Sequence, residues 1–368
     1  MKVLVTGSKG FIGKNLLFKL ISEKKYQIYE FNRGDSLKKL SNLIHEVDII
    51  FHTAGVNRST KKNFFISSNI NLTNKIVTLV NQKKIKTKVI FTSTDLINKK
   101  LISEYATTKL KAENLIKKRL LKIHDYQIFR LPNIFGKWSK PNYNSVIATF
   151  CNNISRNLPV KIIDNKVIKF VYIDDLVKFL INNIEFKKKI SSLNSYTCKI
   201  DKLIDKINYI KKNRNLILNK FVKGKFDKYL YATYLTYIPI KDIQYKLVSN
   251  NDYRGDFIEL FKKPSDGQIS YFSINPKVVR GGHYHNTKVE KFFLISGKVI
   301  FNFYDLNTKK KFSIKIDSKD NLVLETIPGC VHWIKNNSKT IAKGIIWSNE
   351  VFNKSNPDTI GYNIKKLI

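Results

Sequence analysis

The chain has 368 residues, about twice a typical domain, with 43% hydrophobic and 12% aromatic residues, which excludes one small module and a wholly disordered chain. Basic residues number 67 against 28 acidic, a net charge of +39, but only eight are arginines, so the excess reads as a lysine bias on solvated faces and no nucleic-acid partner is expected. No stretch reaches the ~20 apolar residues of a membrane span, and Met1 to Gly7 lead straight into a motif without a signal-peptide layout, so the expectation is a cytoplasmic chain with no membrane partner.

Taken in chain order, residues 3–6, 27–32, 48–53, 88–93 and 127–131 are short β-branched runs that predict buried strands. Residues 14–24 and 105–121 carry helical patterns between them. Repeated βα units of this kind predict a doubly wound parallel sheet. Residues 181–235 read as helical and lysine-rich, completing a first domain of residues 1–245. Beyond it the texture changes: alternating runs at 268–274, 291–295, 298–304, 311–316, 322–327 and 341–347 are separated by Gly, Asn and Asp turn signals. They predict an all-β barrel or jelly roll over residues 246–368, with residues 239–252 as the linker. Cys151, Cys198 and Cys330 are widely spaced and odd in number, so they predict neither a disulfide framework nor a CxxC metal site.

Gly7-Ser8-Lys9-Gly10-Phe11-Ile12-Gly13 follows the first strand and opens a helix. Glycines there let the backbone approach a pyrophosphate, whose charge sits at the helix N-terminus. At the end of strand two stand Asn32 and Arg33, with Glu30 slightly early. A guanidinium at that place favours a 2′-phosphate and hence NADPH; a register slip of two residues would instead return Glu30 to the ribose. Tyr105 and Lys109 lie one helical turn apart on one face. The expectation is that the Lys109 ammonium, together with the oxidised nicotinamide, lowers the phenol pKa so that it exchanges a proton with a carbonyl or alcohol near pH 7. Thr92-Ser93-Thr94 at a strand end offers a hydroxyl to the same oxygen, with Thr94 chosen over Ser93.

Over its first ~240 residues the chain resembles an extended short-chain dehydrogenase/reductase of the nucleotide-sugar type. The matching pieces are TGSKGFIG at 6–13, His52-Thr53-Ala54-Gly55, FTST at 91–94, Tyr105 with Lys109, RLPNIFG at 130–136, and VYIDD at 171–175. The resemblance implies a Rossmann fold and places Gly7, Gly10, Phe11, Ile12, Gly13, Ala54, Gly55 and Lys109 at the dinucleotide. It gives Thr94, Tyr105 and Lys109 the catalytic roles, and it sets Asn57, Arg58, Arg130 and Asn133 beside the nucleotide sugar. Only ten residues separate Thr94 from Tyr105, shorter than the family's usual loop.

A second constellation comprises His283, His285, Glu290 and His332. Alternate residues of a strand face one way, so His283 and His285 point together into a barrel, where Glu290 and His332 complete a three-histidine, one-carboxylate site. Such a set suits Zn²⁺, Fe²⁺, Mn²⁺ or Ni²⁺, with Zn²⁺ the first choice. These last ~115 residues resemble a cupin, with PGxxH at 328–332 shorter than the commoner form. A base for this site stays open among a metal-free histidine, Tyr284 and Lys291.

Reductase followed by cupin, with KWSKPNYNSVIATF at 137–150 and YRGDFIELFKKPSDGQIS at 253–270, resembles the bifunctional enzymes of capsular polysaccharide synthesis. The resemblance implies a UDP-2-acetamido-2,6-dideoxy-4-hexulose of L configuration as substrate. The cupin would invert C3 and the reductase would reduce the C4 ketone with NADPH, giving UDP-2-acetamido-2,6-dideoxy-L-talose, precursor of UDP-N-acetyl-L-fucosamine. A single-activity nucleotide-sugar 4-reductase or epimerase/dehydratase with a structural, dimerising cupin is the alternative. A homodimer is expected because that is the commonest oligomer.

Overall fold

Along β1 (Lys2–Thr6), Val3 and Val5 pack on one face of a sheet and Leu4 on the other, the alternation of a strand covered on both sides. In the computed structural model, which describes residues 1–59, 62–98, 103–143, 145–184, 193–214, 224–263 and 266–367, the chain divides into two units. One is Met1–Asn208 with Gly224–Ile240, the other Tyr209–Lys223 with Lys241–Ile368.

In the first unit β1 is followed by α1 (Phe11–Ser22), β2 (Gln27–Phe31), α2 (Leu37–Glu46), β3 (Ile49–His52), α3 (Lys62–Phe65), a π-helical stretch, α4 (Leu72–Asn81), β4 (Lys88–Thr94), α5 (Glu104–Arg119) and β5 (Asp125–Leu131). The five strands form a wholly parallel sheet in the order β2-β1-β3-β4-β5. Next come β6 (Asn133–Phe135), α6 (Val146–Ser155), β7 (Val167–Tyr172), α7 (Ile173–Asn182), β8 (Tyr196–Lys199), α8 (Ile200–Asn213), whose residues from Tyr209 on belong to the second unit, and α9 (Lys225–Leu235), with β6, β7 and β8 in a separate small sheet. Val3, Val5, Ile49 and Phe51 meet Leu16 and Leu20 of α1 and Leu176 and Leu180 of α7. Leu4, Ile50 and Val89 meet Leu40 and Ile44 of α2 and Ile76 and Val80 of α4. Helices on both faces are what a right-handed βαβ crossover produces.

Helix α5 starts where the Ser103 hydroxyl accepts from the Ala106 N–H, an N-cap worth about 1 kcal/mol. Its buried stripe comprises Ala106, Lys109, Ala112, Glu113 and Ile116, so two of its charged residues lie on the inner face. The stretch 181–235 is not wholly helical. β8 pairs antiparallel with β7, and its Tyr-Thr-Cys-Lys sequence is too short and too exposed to signal a strand. Residues 185–192 and 215–223 of that stretch lie outside the described residues.

The second unit is built from β9 (Ser249–Asp252), β10 (Gly255–Lys263), β11 (Gly267–Ile274), β12 (Val279–Tyr284), β13 (Glu290–Ser296), β14 (Lys298–Asp305), β15 (Lys311–Asp317), β16 (Val323–Glu325), β17 (Cys330–Lys335), β18 (Ala342–Ser348) and β19 (Ile360–Gly361). They form two antiparallel sheets, β16-β13-β18-β11-β10-β9 and β15-β14-β17-β12-β19. Phe272, Ile274, Phe292 and Leu294 of the first pack against Val299, Phe301, Phe303 and Ile334 of the second. The stretch expected to be linker contains β9, which pairs with β10. All four of its side chains are exposed, so an edge strand here carries no apolar alternation to read. Among the described residues no helix is long and apolar enough to cross a membrane.

Candidate functional site

The parallel sheet reverses its winding between β1 and β3, and the turns leaving those strands bound a crevice where open α/β sheets take ligands. Gly7 has φ +71°, and a Cβ there would lie 2.7 Å from Ala54 Cα; a Cβ on Gly13 would lie 2.2 Å from the Gly7 carbonyl oxygen. Helix α1 starts at Gly10 with no side-chain cap and no acidic residue in its first turn. Its free N–H groups and positive dipole end therefore suit a phosphate. An adjoining cavity of about 600 Å³ is lined by Gly7, Gly10, Asn32, Arg33, Ala54 and Phe64 among others. Asn32 accepts from the Lys9 N–H at 3.0 Å and donates to the Ser8 hydroxyl at 2.7 Å. Ser8 in turn donates to Glu30 at 2.5 Å, so Glu30 supports the turn while Arg33, 4.5 Å from the Phe64 ring centre, stands on the cavity wall. These residues fit a dinucleotide.

A second cavity, about 320 Å³, includes Phe11, Ile12, Gly13, Gly55, Thr94, Tyr105, Lys109, Asn57 and Asn133 in its lining. The Thr94 hydroxyl hydrogen-bonds the Tyr105 phenol and accepts from the Leu96 N–H at 3.3 Å. The Ser93 side chain lies toward Glu113 instead, because successive strand residues face opposite ways. The chain's own groups do not supply the expected lowering of the phenol. Burial, then the charge of Asp95, push Tyr105 up to about 12 against the Thr94 hydrogen bond. Lys109 does not pull it down: burial itself lowers that ammonium to about 7, with Glu113 opposing, and its Nζ sits 4.1 Å from the Phe91 ring centre.

Two residues expected beside the sugar stand elsewhere. Arg130 is the register partner of Ser93 and shares its face, where the guanidinium donates to both carboxylate oxygens of fully buried Glu113 at 2.8–3.3 Å. Arg58 donates to the Asn142 carbonyl at 2.8 Å. Neither lines the cavity, whereas Asn57 and Asn133 do.

In the second unit, His283 of β12 lies opposite His332 of β17, His285 follows the end of β12, and Glu290 opens β13. One ligand atom from each lies within 4.8 Å of the others. The Nε2 atoms of His285 and His332 are buried and make no hydrogen bond; they face Glu290 Oε2 at 3.4 and 3.6 Å. His285 Nδ1 meets the Asp358 carbonyl at 2.5 Å, which fixes the tautomer that leaves Nε2 a lone pair. Burial, then the neighbouring His332, lower His283 to about 3, so its ring is neutral at pH 7. Burial would raise Glu290, but His285, His332 and Lys288 outweigh it and hold the carboxyl well below the usual range. Buried, orphaned imidazole nitrogens around a carboxylate are a donor set that fits a divalent cation such as Zn²⁺.

The cluster opens on a cavity of about 420 Å³ lined by His283, Lys288, Glu290 and His332 together with Arg254 and Arg280. Tyr284 and Lys291 are not in its lining. Lys291 follows Glu290 and faces the other way, paired with Glu325 at 2.9 Å. Lys288, 2.8 Å from Glu290 Oε1, was missed by sequence reasoning; its place two residues before Glu290 was the available signal.

The sequence profile of the NAD dependent epimerase/dehydratase family matches residues 3–196, and that of the polysaccharide biosynthesis C-terminal domain matches residues 250–360. The chain is 36% identical to the UDP-2-acetamido-2,6-beta-L-arabino-hexul-4-ose reductase of Pseudomonas aeruginosa, over 99% of both chains. The capsular polysaccharide assembling protein CapF from Staphylococcus aureus superposes with a TM-score of 0.89 and 32% identity, covering 99% of this chain and all of that one. The UDP-glucuronic acid 4-epimerase of Bacillus cereus, 18% identical, shares the fold over 64% of this chain and 98% of its own, with a TM-score of 0.55. The glycine turn at the winding reversal, the Tyr105–Lys109 helix and these likenesses lead to one conclusion: the chain belongs to the NAD dependent epimerase/dehydratase family, as an enzyme that carries a polysaccharide biosynthesis C-terminal domain.

Proposed function

We propose that this chain is a bifunctional nucleotide-sugar enzyme of surface-polysaccharide synthesis. Its second unit, read as a cupin, inverts C3 of a UDP-2-acetamido-2,6-dideoxy-4-hexulose of L configuration. Its first unit reduces the C4 ketone with NADPH to UDP-2-acetamido-2,6-dideoxy-L-talose, a precursor of UDP-N-acetyl-L-fucosamine. The observation that carries the reading is that one chain holds two separately built sites, a tyrosine–threonine–lysine cavity and a three-histidine, one-carboxylate cavity. The likeness to the hexulose reductase along the full chain supports the same substrate class.

The chemistry supplied by bound NADPH is a hydride for C4. Tyr105, protonated throughout the neutral range, gives its proton to the C4 oxygen while Thr94 hydrogen-bonds that oxygen, and hydride on carbon with proton on oxygen completes the alcohol. Lys109, one turn along α5, lines the same cavity and is the residue to hold the nicotinamide ribose. In the second unit His283, His285, Glu290 and His332 would hold a divalent cation, which would supply Lewis acidity toward a ketone and so acidify the neighbouring C3 proton. Reduction then removes the ketone and fixes the C3 configuration.

The test is a proton NMR time course in D₂O with the UDP-4-keto-6-deoxy-N-acetyl-L-hexosamine, first without NADPH and then with it. Deuterium entering C3 before NADPH, followed by a talo product, is expected. NADPH consumption with C3 still protonated would reduce the chain to a 4-reductase with a structural second unit.

A further inference from the structure

The metal cavity of the second unit contains two guanidiniums that neither the metal cluster nor the reduction step uses. Strand β12 is out of phase with a regular strand: Arg280 lies opposite Ile334, Gly281 opposite Trp333 and His283 opposite His332, with Gly282 as the extra residue. Gly281 and Gly282 have φ of +102° and +92°, values that favour glycine. In an unbroken strand positions 280 and 283 would face opposite ways. The bulge restores them to one face, because their partners Ile334 and His332 are two residues apart. Arg280 thus stands beside the histidines, two residues or about 7 Å along the strand, and lines the same cavity.

Arg280 has been brought there at a cost. Its side chain donates to the Asp256 and Ser273 carbonyls at 3.2 Å and lies over the Phe257 ring. Among the described residues no carboxylate bonds to it. Burial and then the positive charge of Arg254, which lines the same cavity, disfavour its charge and outweigh the opposing carboxylates of Asp252 and Asp256. Arg254 is held by Asp252 at 3.0 Å. The acids lining the cavity are already engaged, Glu259 with Lys262 at 2.6 Å and Glu290 with Lys288. Two like charges converging on a cavity with no free acid are stabilised when an anion sits between them.

We infer that Arg280 and Arg254 form an anion subsite in the metal cavity, which takes the diphosphate of a nucleotide sugar while the sugar ring faces the histidines. This deepens the proposed C3 epimerisation and rests on it for the identity of the ligand. The subsite explains why a cavity built for ring chemistry extends along β12: the nucleotide end is gripped by guanidiniums so that the ring is presented to the cation in one orientation.

The experiment uses the full metal-loaded chain and two variants, Arg280→Met and the more exposed Arg254→Met, each accepted only with wild-type metal content. The KM for C3 deuterium exchange is expected to rise at least about tenfold in each, with kcat largely kept, since guanidinium–phosphate bonds bind ground and transition states alike. A KM unchanged in both variants, with wild-type exchange intact, overturns the subsite and leaves the epimerase reading standing. If the wild type shows no exchange, the epimerase reading fails. The subsite is then read from Mn²⁺-loaded protein, by paramagnetic broadening of the UDP phosphorus signals. Broadening in wild type that Arg280→Met abolishes supports it; equal signals in both overturn it.

Discussion

Replacing Lys109 by Met is expected to stabilise the first unit while destroying its reductase activity. Lys109 is 4% exposed, and burial lowers its ammonium from 10.5 to about 7. At about 1.4 kcal/mol per tenfold change, carrying that charge into the fold costs about 5 kcal/mol. Methionine fills much of the same space but forfeits the cation's contact with the Phe91 ring, worth about 1–2 kcal/mol. The net gain of about 3 kcal/mol corresponds to a rise in Tm of about 6–12 °C for a unit of this size. Below pH 7 both folded and unfolded lysine hold the proton, so the penalty is fully present. Between pH 7 and 10.5 the unfolded chain binds a proton that the folded one lacks, so wild-type stability rises with pH and the gap to the variant closes. Thermal unfolding followed by circular dichroism at pH 6, 8 and 10, without added dinucleotide, reads this directly. A variant no more stable than wild type at pH 6, or a gap independent of pH, would refute the argument that Lys109 is a buried charge kept for chemistry.

Tyr105→Phe removes the proton donor and is expected to cut NADPH oxidation by about 10²–10⁴, while C3 exchange in D₂O continues; loss of both would break the division of labour between the units. Arg33→Ala is expected to raise the KM for NADPH about tenfold, the order of one charge-assisted phosphate contact, and to leave that for NADH nearly unchanged. An equal effect on both cofactors would remove Arg33 from the 2′-phosphate. Asp358 accepts from the N–H groups of Asn286, Thr287 and Lys288 at 2.7–2.9 Å. Burial opposes its ionisation, but these bonds prevail and hold the carboxyl well below the usual range. Its support is therefore complete above about pH 4, the unfolded value, and is lost only as the pH falls through the lower folded value. Asp358→Ala is expected to weaken metal affinity about 10–100-fold, measured by competition with a chelator; unchanged affinity would show that the 286–288 turn holds itself.

Much of the parallel sheet and both site cores were legible because their signals are local. Val3 to Thr6 running into Gly7 is a strand followed by a turn that only glycines fit, and Tyr105 with Lys109 is one helical turn. His283, His285, Glu290 and His332 were likewise found by spacing. What escaped depends on pairing that no short window contains. Arg130 sits in a family motif, yet its face is set by register with Ser93, which turns it to Glu113. β9 is Ser-Asn-Asn-Asp, an exposed edge whose backbone pairs with β10 and whose side chains show no apolar alternation. Strict strand alternation sets Arg280 out of phase with His283, and only the Gly281–Gly282 bulge brings them to one face; Asp358 is 73 residues from the His285 ring it orients. Burial was hidden for a related reason: the sequence shows a lysine four residues from Tyr105, but burial is the larger effect of the chain's own groups on the phenol.

The part played by the last stretch of chain has a bearing on how this protein is completed. All four residues of the histidine–glutamate cluster have been synthesised by residue 332, yet the carbonyl that aims His285 comes from Asp358, and β19 closes against His283 and Tyr284. A chain clipped between those points keeps every donor and loses the frame that aims them. With the metal site as proposed, metal occupancy would record whether this stretch is folded and spared by proteases, and a preparation low in metal would first be suspected of a clipped chain.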